Sequence, residues 1–337
     1  MNQNRKMFKS LITAAIASLV VFAAAPVSAQ NVVKGEFKIK MATPSAPEDS
    51  CVMAFYKFRE LVQERSKGRI QVTVFPNGQL GDHAGYITQM QAGNLQIGEV
   101  NTAVLGTVDP EFSVFDLPYL SKDMDHQIRG LNSGLGDKLR KGLEATVGLK
   151  VIGWMVRSPR DVYNSRGPIT KVADFSGLKI RVMQSPIMVK TMELLGAQPV
   201  AISANERYMA LQSNVVQAAE NSVPFIITSK DYEVTKYLSL TDHFITPNAI
   251  TMDAKYFNSL PPDMQKIVAD AGKEAAAFEV VEEKKQLAAA IKDLEAKGMK
   301  VNTVGDKTAF MEKVKPIYAE YEGKIGKDII DAFSKVK

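Results

Sequence analysis

The chain has one cysteine, one tryptophan and three histidines in 337 residues, and each shortage removes a class of explanation. With Cys51 alone no intramolecular disulfide forms, so packing must hold the fold. A small apolar residue opening a helix is the plain reading of that thiol, and it is given no role. His83, His126 and His243 lie far apart and none sits at i, i+4 from another metal ligand of the usual kind. With no H-E-x-x-H and no paired C-x-x-C, no metal is expected. A G-x-S-x-G elbow and a Walker motif are missing too. Gly130 to Gly136 is glycine-rich, but Leu139 stands where the third glycine of a dinucleotide fingerprint belongs, and a helix signal precedes it. No cofactor is expected, and no catalytic constellation.

An excess of one charge is lacking as well. The 42 Lys and Arg against 37 Asp and Glu give +5, and three of the bases, Arg5, Lys6 and Lys9, lie in a segment expected to be removed. Without them the balance is about +2, too weak to argue for nucleic acid or anionic lipid. No nucleic-acid partner is expected. Beyond residue 30 there is no apolar run long enough for a membrane span. The one continuous run, Leu11 to Ala25, follows the basic start and precedes Val27-Ser28-Ala29, the order of a secretory signal. Residues 1–29 are therefore read as a signal peptide cleaved near Ala29, leaving a soluble periplasmic chain.

What is present is a βαβ series. Phe37 to Ala42 predicts a strand, Val52 to Arg65 a helix, and Ile70 to Phe75 a strand with Ile70, Val72 and Val74 on one face. Helix Tyr86 to Gln91, strand Gln96 to Val100, helix Met124 to Ala145 and strand Leu149 to Met155 follow. A second series runs through strand Leu178 to Val182, helix Pro186 to Leu195, strand Pro199 to Ile202, helix Ala204 to Ser213 and strand Val215 to Glu220. Ser185-Pro186 marks one helix start and Ser203 with Glu206 a capping box at another. After Pro261-Pro262 a helical stripe from Met264 to Leu294 predicts a helix of roughly 54 Å, long enough to bridge two lobes. Its Glu282, Glu283, Lys284 and Lys285 read as a solvated face.

The informative residue is Arg181. Leu178, Ile180 and Val182 share one face of their strand, which leaves Arg181 on the other, near the carboxyl end where open α/β sheets face their ligand. A guanidinium fork matches a carboxylate, and the helix start at Ser185 adds free N–H groups. The competing reading is a structural arginine paired with an internal acid.

The blocks Phe75-Pro76-Asn77-Gly78-Gln79-Leu80-Gly81, Phe115-Asp116-Leu117-Pro118-Tyr119, Gly177-Leu178-Lys179-Ile180-Arg181-Val182, Leu195-Gly196-Ala197-Gln198-Pro199-Val200, Ala210-Leu211-Gln212 and Glu220-Asn221 occur in this order. Together they resemble the substrate-binding proteins of tripartite ATP-independent periplasmic (TRAP) transporters, of the C4-dicarboxylate-binding type. The resemblance implies an α/β, two-lobed clamshell with a long helix spanning both lobes, residues 30–156 with 247–286 forming one and 157–246 with 287–337 the other. It implies that Arg181 binds the ligand carboxylate, that Asn221 hydrogen-bonds the ligand, and that Arg160 is the second arginine, with Arg157 ranked lower. By position His83, Asn101 and Glu48 join the site, Ser185 is a further polar candidate at its helix start, and Glu48 with Asp49 are read equally as helix caps. The large aromatic that some relatives carry at the position of Ala204 is absent, and the residues at Asn101 and Val104 disfavour sialic acid.

The partners implied are a small organic anion and the integral-membrane permease subunits of a TRAP transporter. Polar candidates outnumber apolar ones, which favours a sugar acid, a hexuronate or aldonate, over a C4-dicarboxylate or keto acid. A periplasmic enzyme acting on a carboxylate, with Arg181 as clamp and His83 or Glu48 as base, is the reading from another class. A ligand-presenting partner of a membrane sensor is a third.

Overall fold

A computed structural model describes residues 35–336; the segment read as an export signal lies outside the described residues. Eleven strands are present among them: β1 Phe37–Ala42, β2 Ile70–Phe75, β3 Ile97–Asn101, β4 Leu149–Met155, β5 Arg160–Asn164, β6 Lys179–Val182, β7 Gln198–Ala201, β8 Ala218–Ser222, β9 Tyr237–Phe244, β10 Asn248–Asp253 and β11 Lys300–Thr303. They form a five-stranded sheet in the order β2-β1-β3-β10-β4 and a six-stranded sheet in the order β11-β9-β5-β8-β6-β7. The alternation in β2 buries Ile70, Val72 and Val74, whereas β3, β8 and β10 are buried along their whole length.

Each sheet contains a strand delivered from the other. In the first, β10 runs antiparallel between β3 and β4; in the second, β5 runs antiparallel between β8 and β9. The chain crosses between the sheets at residues 156–159 and again at 245–247. The two sheets with their helices are the lobes of a clamshell.

Among the described residues, ten α-helices and three C-terminal ones clothe the sheets. In chain order they are α1 Ser50–Arg65, α2 His83–Gln91, α3 Thr102–Leu105, α4 Met124–Leu131, α5 Gly134–Val147, α6 Pro186–Leu195, α7 Arg207–Gln212, α8 Val223–Thr228, α9 Ala254–Ser259, α10 Pro262–Ala296, α11 Thr308–Val314, α12 Pro316–Ile325 and α13 Lys327–Ser334. Helix α6 begins and ends where its caps require: the Ser185 hydroxyl accepts from the Met188 N–H, Pro186 opens the first turn, and Gly196 closes it at φ 97°.

Two expected helices differ. The helix expected over Met124 to Ala145 is two, α4 and α5, because the chain turns at Asn132 and Ser133 and Ser133 caps the second. Gly136 is needed there, since a Cβ would stand 1.8 Å from the Leu131 carbonyl oxygen, and Gly130 leaves room for the Phe333 ring. The capping box at Ser203 does not form either. Its hydroxyl donates to the Glu206 side chain at 2.8 Å, and α7 begins only at Arg207.

Helix α10 has 35 residues and touches both lobes. Its first half packs Met264, Val268, Ala271 and Ala275 with α1 and the first sheet, and its end packs Ala290 and Leu294 with Leu238 of the second. Between them the inward positions are Glu279 and Glu283, both fully buried, while Val281 is 62% exposed. The solvated-face reading thus fails for Glu283. Its carboxylate accepts from the Ser158 N–H at 2.9 Å and the Ser158 hydroxyl at 2.8 Å. Glu279 accepts from the Val156 N–H at 2.9 Å, and the Ser50 hydroxyl lies within 3.0 Å of both glutamates. Two acids of the long helix therefore grip the first crossing segment.

Candidate functional site

The cleft between the sheets is walled by the carboxyl ends of β3, β6 and β8, the loop after β1 and the crossing segment before β5. Its empty space is about 350 Å³, part of it continuous with solvent, at the small end of small-molecule sites. Arg157, Arg160, Arg181, Asn221, His83 and Asn101 all line it.

The arginines differ in how their charge is met. Arg160 donates to Glu220 through Nε, and through Nη2 to Oε1 at 2.8 Å, with both side chains buried. Burial pushes the Glu220 carboxyl up, but the Arg160 charge and hydrogen bonds outweigh it and hold the group down at about 2. Arg157 donates to Asp49 at 2.6 Å and lies 3.8 Å from Glu283. Buried Arg207, behind the wall, pairs with Asp231 at 2.6 Å. Arg181, 1% exposed, has no carboxylate within salt-bridge distance among the described residues; only its Nε is engaged, donating to the Ile202 carbonyl at 2.8 Å. Burial first, and then the nearby Arg207 charge, pull its pKa down to about 10. It is a buried cation awaiting an anion, since such a charge is costly until it is paired.

Asn221 is oriented by the same network. Its Oδ1 accepts from Arg160 Nη1 at 3.0 Å and from the Ser222 N–H at 2.9 Å, so its amide NH₂ is the end left for a ligand. Phe225 floors this side with guanidiniums stacked on it, Arg157 at 5.2 Å and Arg207 at 4.6 Å from the ring centre.

The first lobe supplies acceptors. His83 Nδ1 is 2.8 Å from the Glu99 carbonyl oxygen, which fixes Nδ1 as the protonated nitrogen and leaves Nε2 as an acceptor. Burial lowers the His83 pKa, so the ring is neutral at pH 7. Asn101 lines the cleft, but its Oδ1 caps α3 by accepting from Ala103 and its NH₂ donates to Asn248. Asn101 is therefore a joint between β3 and β10 with its amide already spent.

Two expected contacts fall outside. Glu48 has an exposed side chain and is not in the wall; its neighbour Asp49 caps α1 and pairs with Arg157. Ser185 turns from the cleft, capping α6 and donating to Asp116 at 2.6 Å. The residues not foreseen are Glu99, Asn248, Ser45, Met183 and Phe225. Glu99 carries the same signal that marked Arg181, a charged residue near the carboxyl end of an otherwise apolar strand. Ala204 lines the cleft as well, and beside it Asn205 reaches across the rim to donate to the Gly81 carbonyl at 2.9 Å.

Known proteins share this architecture. The DctP model, described as bacterial extracellular solute-binding protein, family 7, matches residues 41–324. The C4-dicarboxylate-binding protein DctB of Bacillus subtilis is 31% identical over 289 residues, 82% of this chain and 80% of DctB. The sugar acid binding protein DctPAm of Advenella mimigardefordensis, solved in complex with galactonate, gives a TM-score of 0.87 at 31% identity, covering 90% of this chain and 100% of that one. A TRAP periplasmic solute binding protein of Roseobacter denitrificans, solved with bound β-D-glucuronate, gives 0.86 at 29%, covering 89% and 100%. With two sheets exchanging strands, a cleft holding an unpaired arginine, and a family match over most of its length, the chain belongs to the bacterial extracellular solute-binding proteins, family 7.

Proposed function

We propose that the protein captures a sugar acid, a hexuronate or an aldonate, in the periplasm and delivers it to the membrane subunits of a TRAP-type transporter. The observation that carries this reading is Arg181, a buried guanidinium lining the cleft without a carboxylate partner. A ligand carboxylate completes it, the Asn221 NH₂ adds a donor, and His83 Nε2 accepts from a hydroxyl. Support for the ligand class comes from the relatives solved with galactonate and glucuronate. The role is binding without turnover. The serine in the cleft wall, Ser45, accepts from Arg157 Nη2 at 3.4 Å and, among the described residues, has no histidine bonded to its hydroxyl; the fully buried Cys51 has its thiol pushed well up by burial. Residues 1–29 act as the export signal. Residues 30–156 with 247–286 move as one lobe, and 157–246 with 287–337 as the other.

Thermal unfolding of the mature protein with hexuronates, aldonates, C4-dicarboxylates, keto acids and matching neutral sugars tests this. A ligand at 100 times its dissociation constant adds about 2.7 kcal/mol to native stability. A rise with sugar acids that neutral sugars do not give is the expected result. No shift with any acid, on protein freed of ligand by denaturation and refolding, defeats the proposal.

A further inference from the structure

Arg181 has a counterpart of opposite sign. Glu99, on β3 in the wall facing the second lobe, is also 1% exposed. Among the described residues no Lys, Arg or His nitrogen lies within salt-bridge distance of its carboxylate. Its partners are uncharged: the Thr43 hydroxyl after β1, and Asn248 Nδ2 at the start of β10, 2.6 Å away. Three adjacent strands thus hold it in place. A carboxylate has about four lone-pair sites, and these two bonds leave acceptor capacity on a residue that lines the cleft.

Among the described residues, no cation on this side is without a carboxylate neighbour. Arg157 is matched in charge by Asp49 and Glu283, although its Nη1 makes no hydrogen bond. His83 is neutral and offers an acceptor. Asn248 donates to Glu99 and to Cys51 Sγ and accepts from Asn101, so its amide is spent. A ligand hydroxyl can donate to Glu99; a ligand carboxylate cannot, and would face a like charge in a water-poor site.

Resting on the function proposed above, we infer that Glu99 sets the ligand class. One carboxylate is taken by Arg181, hydroxyls donate to Glu99, and acids carrying a carboxylate at both ends are refused. Arg181 and Glu99 form a polarity gauge across the cleft, reading the acid end and the alcohol end of one molecule.

Calorimetric titration of the unaltered mature protein with galactonate against galactarate, gluconate against glucarate, and succinate reads this directly. In each pair only the terminal CH₂OH is changed to a carboxylate. The expected result is an aldonate bound at least about tenfold more tightly than its aldarate and than succinate, with Glu99→Gln narrowing that ratio by about tenfold or more. Arg181→Gln loses all of the acids. Two results overturn the inference while leaving organic-acid binding intact: an aldarate or succinate binding the unaltered protein as tightly as the aldonates, or a folded Glu99→Gln with the ratio unchanged. Absence of binding by every acid, uronates included, removes the proposed function and this inference together. Because the aldonate and aldarate comparison needs no substitution, it decides the matter even where Glu99→Gln fails to fold.

Discussion

Asp231 holds Arg207 through both carboxylate oxygens, from Nε at 2.6 Å and from Nη2 at 3.2 Å, and the Tyr163 hydroxyl donates to the same carboxylate. Arg181, whose charge Arg207 perturbs, has no such acid among the described residues. Replacing the two arginines therefore separates stability from binding. Arg207→Leu leaves a buried carboxylate without its cation and lowers unfolding free energy by about 3 to 5 kcal/mol. Arg181→Leu orphans no acid, so it costs far less stability. It weakens ligand binding by about 2 to 5 kcal/mol, some thirtyfold or more. Denaturant unfolding and titration calorimetry on both variants check the crossing pattern.

The rim contact gives a second prediction. Gly78 sits at φ +65°, and a Cβ there would stand 2.6 Å from the Asn205 side chain. Gly78→Val should hold the rims apart and weaken binding, on top of about 1 kcal/mol or more of backbone strain. Asn205→Ala removes only the bond to Gly81, so its effect is smaller, about three- to tenfold in dissociation constant. Small-angle scattering with and without ligand should show reduced compaction in Gly78→Val.

Helix α10 makes stability depend on pH. Burial, then the neighbouring Glu283 charge, push the Glu279 carboxyl from 4.5 up to about 8. The folded state holds this proton where the unfolded chain has released it. The contribution is complete below pH 4.5 and is lost as pH rises through 8. Glu279→Gln keeps the shape without titrating. Relative to this variant, the natural protein should lose stability between pH 5 and 8.5, as urea unfolding at fixed pH values will show.

Close packing of α10 on β4 gives a fourth prediction. A Cβ at Gly272 would lie 2.7 Å from the Ile152 carbonyl oxygen, and one at Gly153 would lie 2.5 Å from that of Gly272. Gly272→Ala should destabilise the fold by about 1 to 3 kcal/mol. Thermal melts of ligand-free protein measure it.

Where a signal is local, the sequence was enough. Ser185, Pro186 and Gly196 bound α6 with their own atoms, and β4 spans Leu149–Met155 as its apolar run implies. The break between α4 and α5 was illegible because it depends on how Gly136 meets the Leu131 carbonyl, while Asn132 and Ser133 fit a helix by themselves. Glu283 departs from a solvated face for a related reason. The inward spacing of α10 continues through positions 279 and 283, but acids stand there because their partners are backbone N–H groups of a distant segment. In the cleft, the arginines stood out as charges in apolar strands. Glu99 fits that rule equally, whereas Asn248 is hidden because its partners lie about 150 residues away in sequence.

The exchanged strands bear on how the chain is made. A nascent polypeptide that has emerged only as far as residue 156 has β3 and β4 but an empty slot between them, because β10 comes about 90 residues later. The first sheet cannot close until nearly all of the second has been synthesised. At a synthesis rate of about 5 to 20 residues per second, that leaves several seconds in which the leading half is an unfinished, threadable chain. On the proposed export route through a secretory channel, this wiring postpones folding without any separate device, and it makes residues 1–156 expressed alone a fragment with two raw sheet edges.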